Sequence, residues 1–248
     1  MSLKKQIPNI ITLLNLFSGC IAVYFACMNQ LFLAAVFTAL GIFFDFFDGF
    51  FARLFNANSE LGLQLDSLAD MVTSGVVPGV FMFQLLLESS AINDSFPIEN
   101  IGGNVIEWVP FLGFFVTLAS CYRLANFNID TRQTSSFIGL PTPANTLLII
   151  SIGLVSMYQS SGIIEVLMDN VWVLLSIVAL SCYLLNAEVR LFALKFKNWN
   201  IKDNWVRYLL IISSLVLILL FKYLGITLTI LLYVLLSLIF SGEETNGV

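Results

Sequence analysis

Long apolar runs separated by short polar stretches dominate the chain. Eight runs approach the ~20 residues that an α-helix needs to cross a bilayer, at approximately residues 7–28, 31–54, 62–87, 105–128, 143–160, 167–187, 204–222 and 224–241. They lack the alternation of apolar and polar residues that is typical of transmembrane β-strands. The first run is long enough to span a bilayer and lacks the cleavage site of a signal peptide. The pattern therefore predicts an all-α, polytopic transmembrane bundle of about eight helices.

The basic residues indicate how these helices are oriented, because cytoplasmic loops of membrane proteins carry an excess of Lys and Arg. If the N-terminus lies in the cytoplasm, ten of the eleven basic residues fall at or near cytoplasmic helix ends: Lys4, Lys5, Arg53, Arg123, Arg132, Arg190, Lys195, Lys197, Lys202 and Arg207. Lys222 is the exception. The charged residues of the outer loop at residues 88–107 are all acidic. We therefore expect both termini to be cytoplasmic.

Composition narrows the chemistry. The chain is 58% hydrophobic and 11% charged, against about a quarter charged in soluble proteins, and its net charge of -5 gives no argument for nucleic acid as a partner. It contains no histidine, so metal or acid–base chemistry must depend on carboxylates, which favour Mg²⁺, Mn²⁺ or Ca²⁺. The four cysteines lie in apolar runs without metal-ligand or disulfide spacing. Without a repeat or a separate hydrophilic segment large enough to fold, we expect one domain over residues 1–248.

Four carboxylates interrupt the second and third apolar runs: Asp45, Asp48, Asp66 and Asp70. Carboxylates within a membrane segment are costly and normally face a cavity or a bound cation. Residues three or four apart share a helix face, so each pair lies on one face of its helix. The short polar link at residues 55–61 makes the two helices antiparallel neighbours, and we expect the four acids to meet near the cytoplasmic end of the pair.

Divalent metal ions would relieve the repulsion within this group, because oxygen ligands select hard cations. Two ions would polarise a phosphoryl oxygen and align the attacking and leaving oxygens, and a carboxylate left partly free would accept a proton from the attacking hydroxyl. The alternative, in which the acids pair with basic side chains, leaves several charges unbalanced because only Arg53 is nearby. Gly49 and Ala52 allow close approach of a bulky substrate, and Arg53 offers a positive charge for a phosphate.

From residue 45 to residue 70 the chain reads D-x-x-D-G-x-x-A-R, eight residues, then G-x-x-x-D-x-x-x-D. This resembles the signature of the CDP-alcohol phosphotransferases in all its fixed positions: Asp45, Asp48, Gly49, Ala52, Arg53, Gly62, Asp66 and Asp70. The resemblance implies that the four aspartates hold one or two Mg²⁺ or Mn²⁺ ions. It also implies that Asp70 is the base, that Gly49, Ala52 and Arg53 lie against the CDP group, and that the enzyme is a homodimer.

Further stretches resemble the phosphatidylserine synthases of the integral-membrane type: residues 7–19, R-L-A-N-F-N from Arg123, residues 137–144 and residues 188–197. This resemblance covers about the first 200 residues and implies serine as the acceptor. One position departs from it, because Asn126 stands where relatives place a basic residue. A cation that would help to bind an anionic group is therefore missing at that position.

Three polar side chains are candidates for substrate binding. Arg123, near the cytoplasmic end of the fourth helix, would orient the carboxylate of serine through a bidentate contact; alternatively it only anchors the helix at the inner leaflet. Asn9 and Thr12 lie three apart on the first helix and, by the resemblance, reach the nucleotide. The stretch at residues 139–143 reads as a stiff turn that either restarts a helix or shapes the acceptor pocket.

The predicted reaction converts CDP-diacylglycerol and L-serine into phosphatidylserine and CMP. We expect the protein to lie in the cytoplasmic membrane of a bacterium, with its active site open to the cytoplasm. A sister enzyme acting on glycerol 3-phosphate or an inositol phosphate, and an ether-lipid donor, remain alternatives. So do a cation channel or transporter and a catalytically inactive homologue. A transporter would spread its carboxylates through the depth of the membrane, whereas these gather on one helical hairpin.

Overall fold

The structure is a computed structural model that describes residues 6–57, 59–89, 108–130, 136–159, 161–192, 200–201 and 204–240. Its α-helices are α1 (Ile7–Cys27), α2 (Leu31–Leu54), α3 (Glu60–Asp70), α4 (Val77–Glu88), α5 (Phe115–Ile129), α6 (Thr142–Tyr158), α7 (Ile163–Met168), α8 (Val171–Asn186), α9 (Trp205–Phe221) and α10 (Tyr223–Phe240). A π-helical segment (Met71–Val76) joins α3 to α4, and a 3₁₀ turn (Pro110–Phe114) precedes α5. Two short strands complete the fold, β1 (Ser136–Ile138) and β2 (Arg190–Phe192).

The prediction of an all-α bundle is confirmed, since each predicted apolar run contains a helix. Of the described helices, α1, α2, the continuous helix at Glu60–Glu88 and α10 are long and apolar enough to cross a membrane, while α6, α8 and α9 are apolar but shorter. Residues 105–107 of the fourth predicted run lie outside the described residues, and its described part begins with the 3₁₀ turn at Pro110. The short helix α7 was not predicted.

Apolar side chains both fill the interior of the bundle and cover its outer surface. Phe81, Leu31 and Met82 are fully buried between helices. Phe46 and Leu219 remain 64% and 73% exposed on the outer surface, which is where lipid chains replace water as the solvent of a membrane protein. This distribution supports an integral membrane protein.

The first three spans place the acidic residues. Helix α1 packs along α2 and against α3 and the π segment. Helix α2 ends in a tight turn in which Asn56 has a positive φ of 49° and the amide of Ala57 donates to the carbonyl of Ala52 at 2.8 Å. Ser59 then caps α3, accepting a hydrogen bond from the amide of Gly62 at 3.0 Å. The turn makes α2 and α3 antiparallel, as predicted, so their acidic faces lie side by side.

The third span changes helix type directly after Asp70. Residues 71–76 form a π-helix before α4 begins at Val77. Its small residues pack closely against α5, where the hydroxyl of Thr117 donates to the carbonyl of Gly75 at 2.9 Å. Such insertions in α-helices occur frequently at functional sites.

The two strands pair antiparallel, with Ile138 opposite Arg190, and form a small ribbon at one end of the bundle. Gly139 follows β1 with a φ of 77°, and its amide donates to the carbonyl of Val189 at 2.8 Å. The amide of Leu140 donates to the carbonyl of Leu184, also at 2.8 Å. The stretch predicted as a stiff turn is thus fixed against the end of α8. Six of the basic residues used to predict the orientation lie outside the described residues, at positions 4, 5, 132, 195, 197 and 202.

Candidate active site

Three of the four predicted metal ligands converge on one point. One carboxylate oxygen each from Asp45, Asp48 and Asp66 lies within 4.8 Å of the other two. Asp45 and Asp48 come from adjacent turns of α2, and Asp66 comes from the facing turn of α3. The side chains of Asp45 and Asp66 contact each other directly. Antiparallel packing of the two helices is what brings these acids together across the hairpin.

Asp70 lies one helical turn beyond Asp66, at the end of α3. It lines the same cavity as Asp45 and Asp66, and its Oδ1 accepts a hydrogen bond from the side-chain amide of Asn15 at 3.3 Å. The structure therefore places the fourth acid beside the three-carboxylate group rather than within it. Asp70 thus lines the second cavity while one of its oxygens is held by an amide of α1.

The carboxylate group suits a hard divalent cation. All of its donors are oxygens, and three carboxylates at this separation repel one another unless a cation balances them. Arg53, the arginine nearest in sequence, donates from Nε to the carbonyl of Gly49 at 2.9 Å. The residues present thus fit a bound Mg²⁺ or Mn²⁺.

The larger of the two cavities beside the carboxylates, here called the first cavity, has a volume of about 510 Å³. It lies between the start of α1, the end of α2 and the start of α3. Its lining includes the predicted substrate-binding residues Asn9, Thr12, Gly49 and Ala52. A Cβ added at Gly49 would meet nothing within 4 Å, so this glycine leaves open space in the cavity wall.

Two residues predicted to contact the substrate also form hydrogen bonds within the protein. The hydroxyl of Thr12 donates to Oδ2 of Asp48 at 2.6 Å, so it lines the first cavity while orienting a carboxylate. Arg53 is exposed in the last turn of α2, and its Nε donates to the carbonyl of Gly49 one turn back. It lies near the cavity rim and is not among the residues that line it in the described part of the chain.

A second cavity of about 250 Å³ lies on the other side of the carboxylates. It is lined by Asp45, Asp66, Asp70 and Arg123, together with residues of α5 and the start of α6. Asp66 borders both cavities, whereas Asp48 faces the first and Asp70 the second. The carboxylate group therefore stands at the boundary between two spaces, each of which offers room for one substrate.

Arg123 is 6% exposed and spans from the second cavity to a third of about 330 Å³. Its Nε and Nη2 donate to the carbonyls of Leu140 and Gly139, each at 3.4 Å. Two of the five guanidinium N–H groups are used in this way, and the guanidinium carbon lies 5.9 Å from the centroid of the Phe127 ring. Asn126, the position that departs from the family pattern, lines the third cavity.

Several polar residues of the site were not identified from the sequence. Asn15 contacts Asp70, and the hydroxyl of Thr73 donates to Asn15 Oδ1 at 2.7 Å. Asn128 donates to the hydroxyl of Ser67 at 2.8 Å, and both line the second cavity. The sequence signal for them was a polar side chain within an apolar run. Such residues in membrane segments usually face a functional cavity or bind another polar group.

Comparison with known proteins agrees with this geometry. A model of the CDP-alcohol phosphatidyltransferase family matches residues 5–184. The CDP-diacylglycerol–serine O-phosphatidyltransferase of Bacillus subtilis is 34% identical over 143 residues, covering 56% of this chain and 70% of that protein. The enzyme of that name from Helicobacter pylori strain 26695 is 28% identical over 206 residues, covering 79% of this chain and 75% of that protein. The one from Saccharomyces cerevisiae is 34% identical over 167 residues, covering 60% of this chain and 54% of that protein.

The family match covers both helices of the acidic hairpin, the cavities on either side of it and the arginine that borders the second cavity. It ends at residue 184, close to the end of α8, so the last two helices lie outside it. A carboxylate group between two cavities in a helical membrane protein, together with a family match over most of the chain, establishes that this chain belongs to the CDP-alcohol phosphatidyltransferase family.

Proposed function

We propose that the protein transfers a phosphatidyl group from CDP-diacylglycerol to L-serine, giving phosphatidylserine and CMP. The observation that carries this proposal is the position of the carboxylate group between two cavities. A transfer between two substrates requires both to reach one reacting centre from different sides. Here Asp66 borders both spaces.

The first cavity takes the CDP part of the donor. Gly49 and Ala52 present almost no side chain, so the nucleotide and its pyrophosphate can approach α2 closely. Asn9 lines the same cavity and supplies an amide that can donate or accept a hydrogen bond. Arg53 sits near the rim, where it adds positive potential for the phosphates. The acyl chains of the donor remain in the bilayer beside the bundle.

The second cavity takes the acceptor, and Asp70 faces it. The serine hydroxyl oxygen forms a new bond to the phosphorus that carries diacylglycerol, while the bond from that phosphorus to the bridging oxygen breaks and CMP departs. Asp70 accepts the hydroxyl proton as this happens. Asp45, Asp48, Asp66 and Asp70 would hold a divalent cation, which would neutralise charge on the phosphate oxygens. The protein holds the two substrates in line across its carboxylates.

Two observations support serine as the acceptor. The relatives compared above all carry the name of a serine phosphatidyltransferase. Arg123 borders the second cavity with guanidinium N–H groups beyond those that bind the Gly139 and Leu140 carbonyls, and an arginine is well suited to holding a carboxylate. A phosphorylated acceptor would require a denser group of cations than Arg123 provides among the described residues that line this cavity.

We also propose that the site opens to the cytoplasm, in the cytoplasmic membrane of a bacterium, and that the chain forms one domain and assembles as a homodimer. The distribution of basic residues supports the orientation. The family resemblance supports the dimer.

The experiment that tests the function uses purified protein in detergent with CDP-diacylglycerol and Mn²⁺ or Mg²⁺, and follows CMP release as acceptors are added one at a time. We expect release that requires both L-serine and metal and is lost in Asp70→Asn. Release with glycerol 3-phosphate or an inositol phosphate alone would overturn the acceptor and keep the reaction class. No release with any alcohol, in protein that is folded and monodisperse, would overturn the proposal in favour of transport or an inactive homologue.

A further inference from the structure

A chain of two hydrogen bonds runs from the π segment through α1 to Asp70. The hydroxyl of Thr73 donates to Oδ1 of Asn15 at 2.7 Å, and Nδ2 of Asn15 donates to Oδ1 of Asp70 at 3.3 Å. Thr73 and Asn15 are both fully buried. Three separate segments of the bundle therefore meet at one amide group.

Charge decides which way the Asn15 amide points. Its N–H side faces a carboxylate and its oxygen faces a hydroxyl, so both ends form favourable contacts. In the reverse orientation the amide oxygen would face the Asp70 carboxylate and repel it. In this orientation the Thr73 hydroxyl supplies the donor that satisfies the buried amide oxygen. Thr73 thus acts on Asp70 through Asn15.

Thr73 has almost no freedom to move. A Cβ added at Gly19 of α1 would lie 2.5 Å from the Thr73 hydroxyl oxygen, and one added at Gly41 of α2 would lie 2.7 Å from its methyl carbon. The same Cβ at Gly41 would lie 3.0 Å from Asn15 Oδ1. Glycine at both positions lets α1, α2 and the π segment close around the threonine. The Thr73 side chain is therefore packed closely between α1 and α2.

We propose that Asn15 is a positioning residue for the proposed reaction, which fixes the carboxylate of Asp70 toward the second cavity, and that Thr73 in the π segment fixes the orientation of Asn15. The inference rests on the proposed function, since it assigns the role of Asp70 within that site. Its physical basis is repulsion: Asp70 shares its cavity with Asp45 and Asp66, and like charges would turn its carboxylate away unless a donor held it. Hydrogen bonds from residues that do not themselves bind the metal commonly orient the ligands of metal sites.

Four variants separate positioning from packing. Asn15→Leu keeps the approximate shape of the side chain and removes both hydrogen bonds. Thr73→Val keeps the shape and removes the hydroxyl, whereas Thr73→Ser keeps the hydroxyl and removes the methyl group. The matched control is Thr38→Val, because Thr38 is also fully buried in the bundle and its hydroxyl donates to the carbonyl of Ala34 on its own helix.

The first readout is Mn²⁺ affinity, measured by electron paramagnetic resonance on each purified variant without lipid or acceptor. We expect Asn15→Leu and Thr73→Val to bind Mn²⁺ about tenfold or more weakly than the wild type, with Thr73→Ser and Thr38→Val close to it. The second readout is CMP release, in which the first two variants should lose kcat and keep the KM for CDP-diacylglycerol. Thermal unfolding in detergent shows which variants are folded.

A purely structural role for Thr73 predicts the opposite order, with Thr73→Ser impaired and Thr73→Val close to wild type. That order, or wild-type Mn²⁺ affinity in Thr73→Val, would overturn the inference. If Asn15→Leu does not fold, the two Thr73 variants decide the question alone. A wild type that binds Mn²⁺ without releasing CMP would overturn the proposed reaction and leave the metal-affinity comparison to decide the positioning.

Discussion

The hydroxyl of Thr12 on α1 donates a 2.6 Å hydrogen bond to Oδ2 of Asp48 on α2. Both side chains are buried, with 3% and 6% of their surfaces exposed. A hydrogen bond to a charged group contributes roughly 1.5–3 kcal/mol, so this one fixes the carboxylate firmly. Helix α1 carries no acid of its own, yet Thr12 holds Asp48 within the carboxylate group and Asn15 holds Asp70 beside it.

Replacing Thr12 with Val should lower activity while the protein remains folded. The change preserves the shape of the side chain but removes the donor, and Asp48 loses the bond that orients it. We expect kcat/KM for CMP release to fall about tenfold or more, measured with saturating L-serine and varied CDP-diacylglycerol.

Thr12→Ser is the control for this prediction, because it retains the hydroxyl and should stay close to wild type. Equal losses in the Val and Ser variants would show that the methyl group, and not the hydrogen bond, is what the site requires.

Two glycines on α2 should respond oppositely to alanine. At Gly49 a Cβ meets nothing within 4 Å, whereas at Gly41 it would lie 2.7 Å from Thr73 and 3.0 Å from Asn15. Gly49→Ala should therefore stabilise the helix by about 0.5–1 kcal/mol and raise the KM for CDP-diacylglycerol by narrowing the first cavity. Gly41→Ala should destabilise the protein by about 1–3 kcal/mol through overpacking.

Thermal unfolding in detergent measures the stability of both variants, and CMP release at varied donor concentration measures the KM. Each variant is the control for the other, since both make the same substitution in the same helix. An unchanged KM in Gly49→Ala would place the donor away from this glycine, and a fully stable Gly41→Ala would mean that the helices can separate without cost.

Metal removal should expose the repulsion within the carboxylate group. In the presence of a chelator, Asp66→Asn should unfold at a higher temperature than the wild type, because Asp66 contacts Asp45 and the change removes one of three adjacent negative charges. Adding Mn²⁺ should reverse the order, since a ligand at 100 times its Kd stabilises the native state by about 2.7 kcal/mol.

Differential scanning fluorimetry with and without Mn²⁺ tests this prediction. The control is Asp169→Asn, an acid between α7 and α8 that is distant in sequence from the carboxylate hairpin, whose response to Mn²⁺ should match that of the wild type. Equal stabilisation of Asp66→Asn and wild type by Mn²⁺ would remove Asp66 from the metal site.

Much of the bundle and the acidic hairpin could be predicted because their causes are local. A long apolar run forms a helix wherever a bilayer removes water from the backbone. A short link between two such runs forces them to be antiparallel, so the meeting of Asp45, Asp48 and Asp66 follows from their spacing and from the link at residues 55–61. The eight-position signature then added the family.

What the sequence could not predict depends on contacts between distant segments. Asn15 and Thr73 are 58 residues apart, and neither shows from its own neighbourhood that the other is its partner. No sequence pattern distinguishes the π-helical segment from the α-helices on either side of it. The ribbon of β1 and β2 is only three residues long in each strand, and no sequence pattern indicates the hydrogen bond from Arg53 Nε to the Gly49 carbonyl.

Arg123 gives the sharpest test of the acceptor. It is buried beside the second cavity, and its Nε and Nη2 hold the carbonyls of Leu140 and Gly139. A lysine has one ammonium group in place of the planar guanidinium, so it cannot hold this loop and a substrate carboxylate together. Arg123→Lys should therefore raise the KM for L-serine about tenfold, the loss of one hydrogen bond to a charged group, and leave the KM for CDP-diacylglycerol nearly unchanged.

Arg190→Lys is the matched control for Arg123→Lys, because Arg190 is exposed on β2 and its replacement should change neither constant. The measurement is CMP release with each substrate varied in turn at saturating concentration of the other. An unchanged KM for serine would mean that Arg123 holds the loop at Gly139 and Leu140 and does not bind the acceptor. A parallel rise in both constants would mean that the loop at Gly139 and Leu140 shapes the whole site, because a residue that binds only the acceptor cannot weaken the donor.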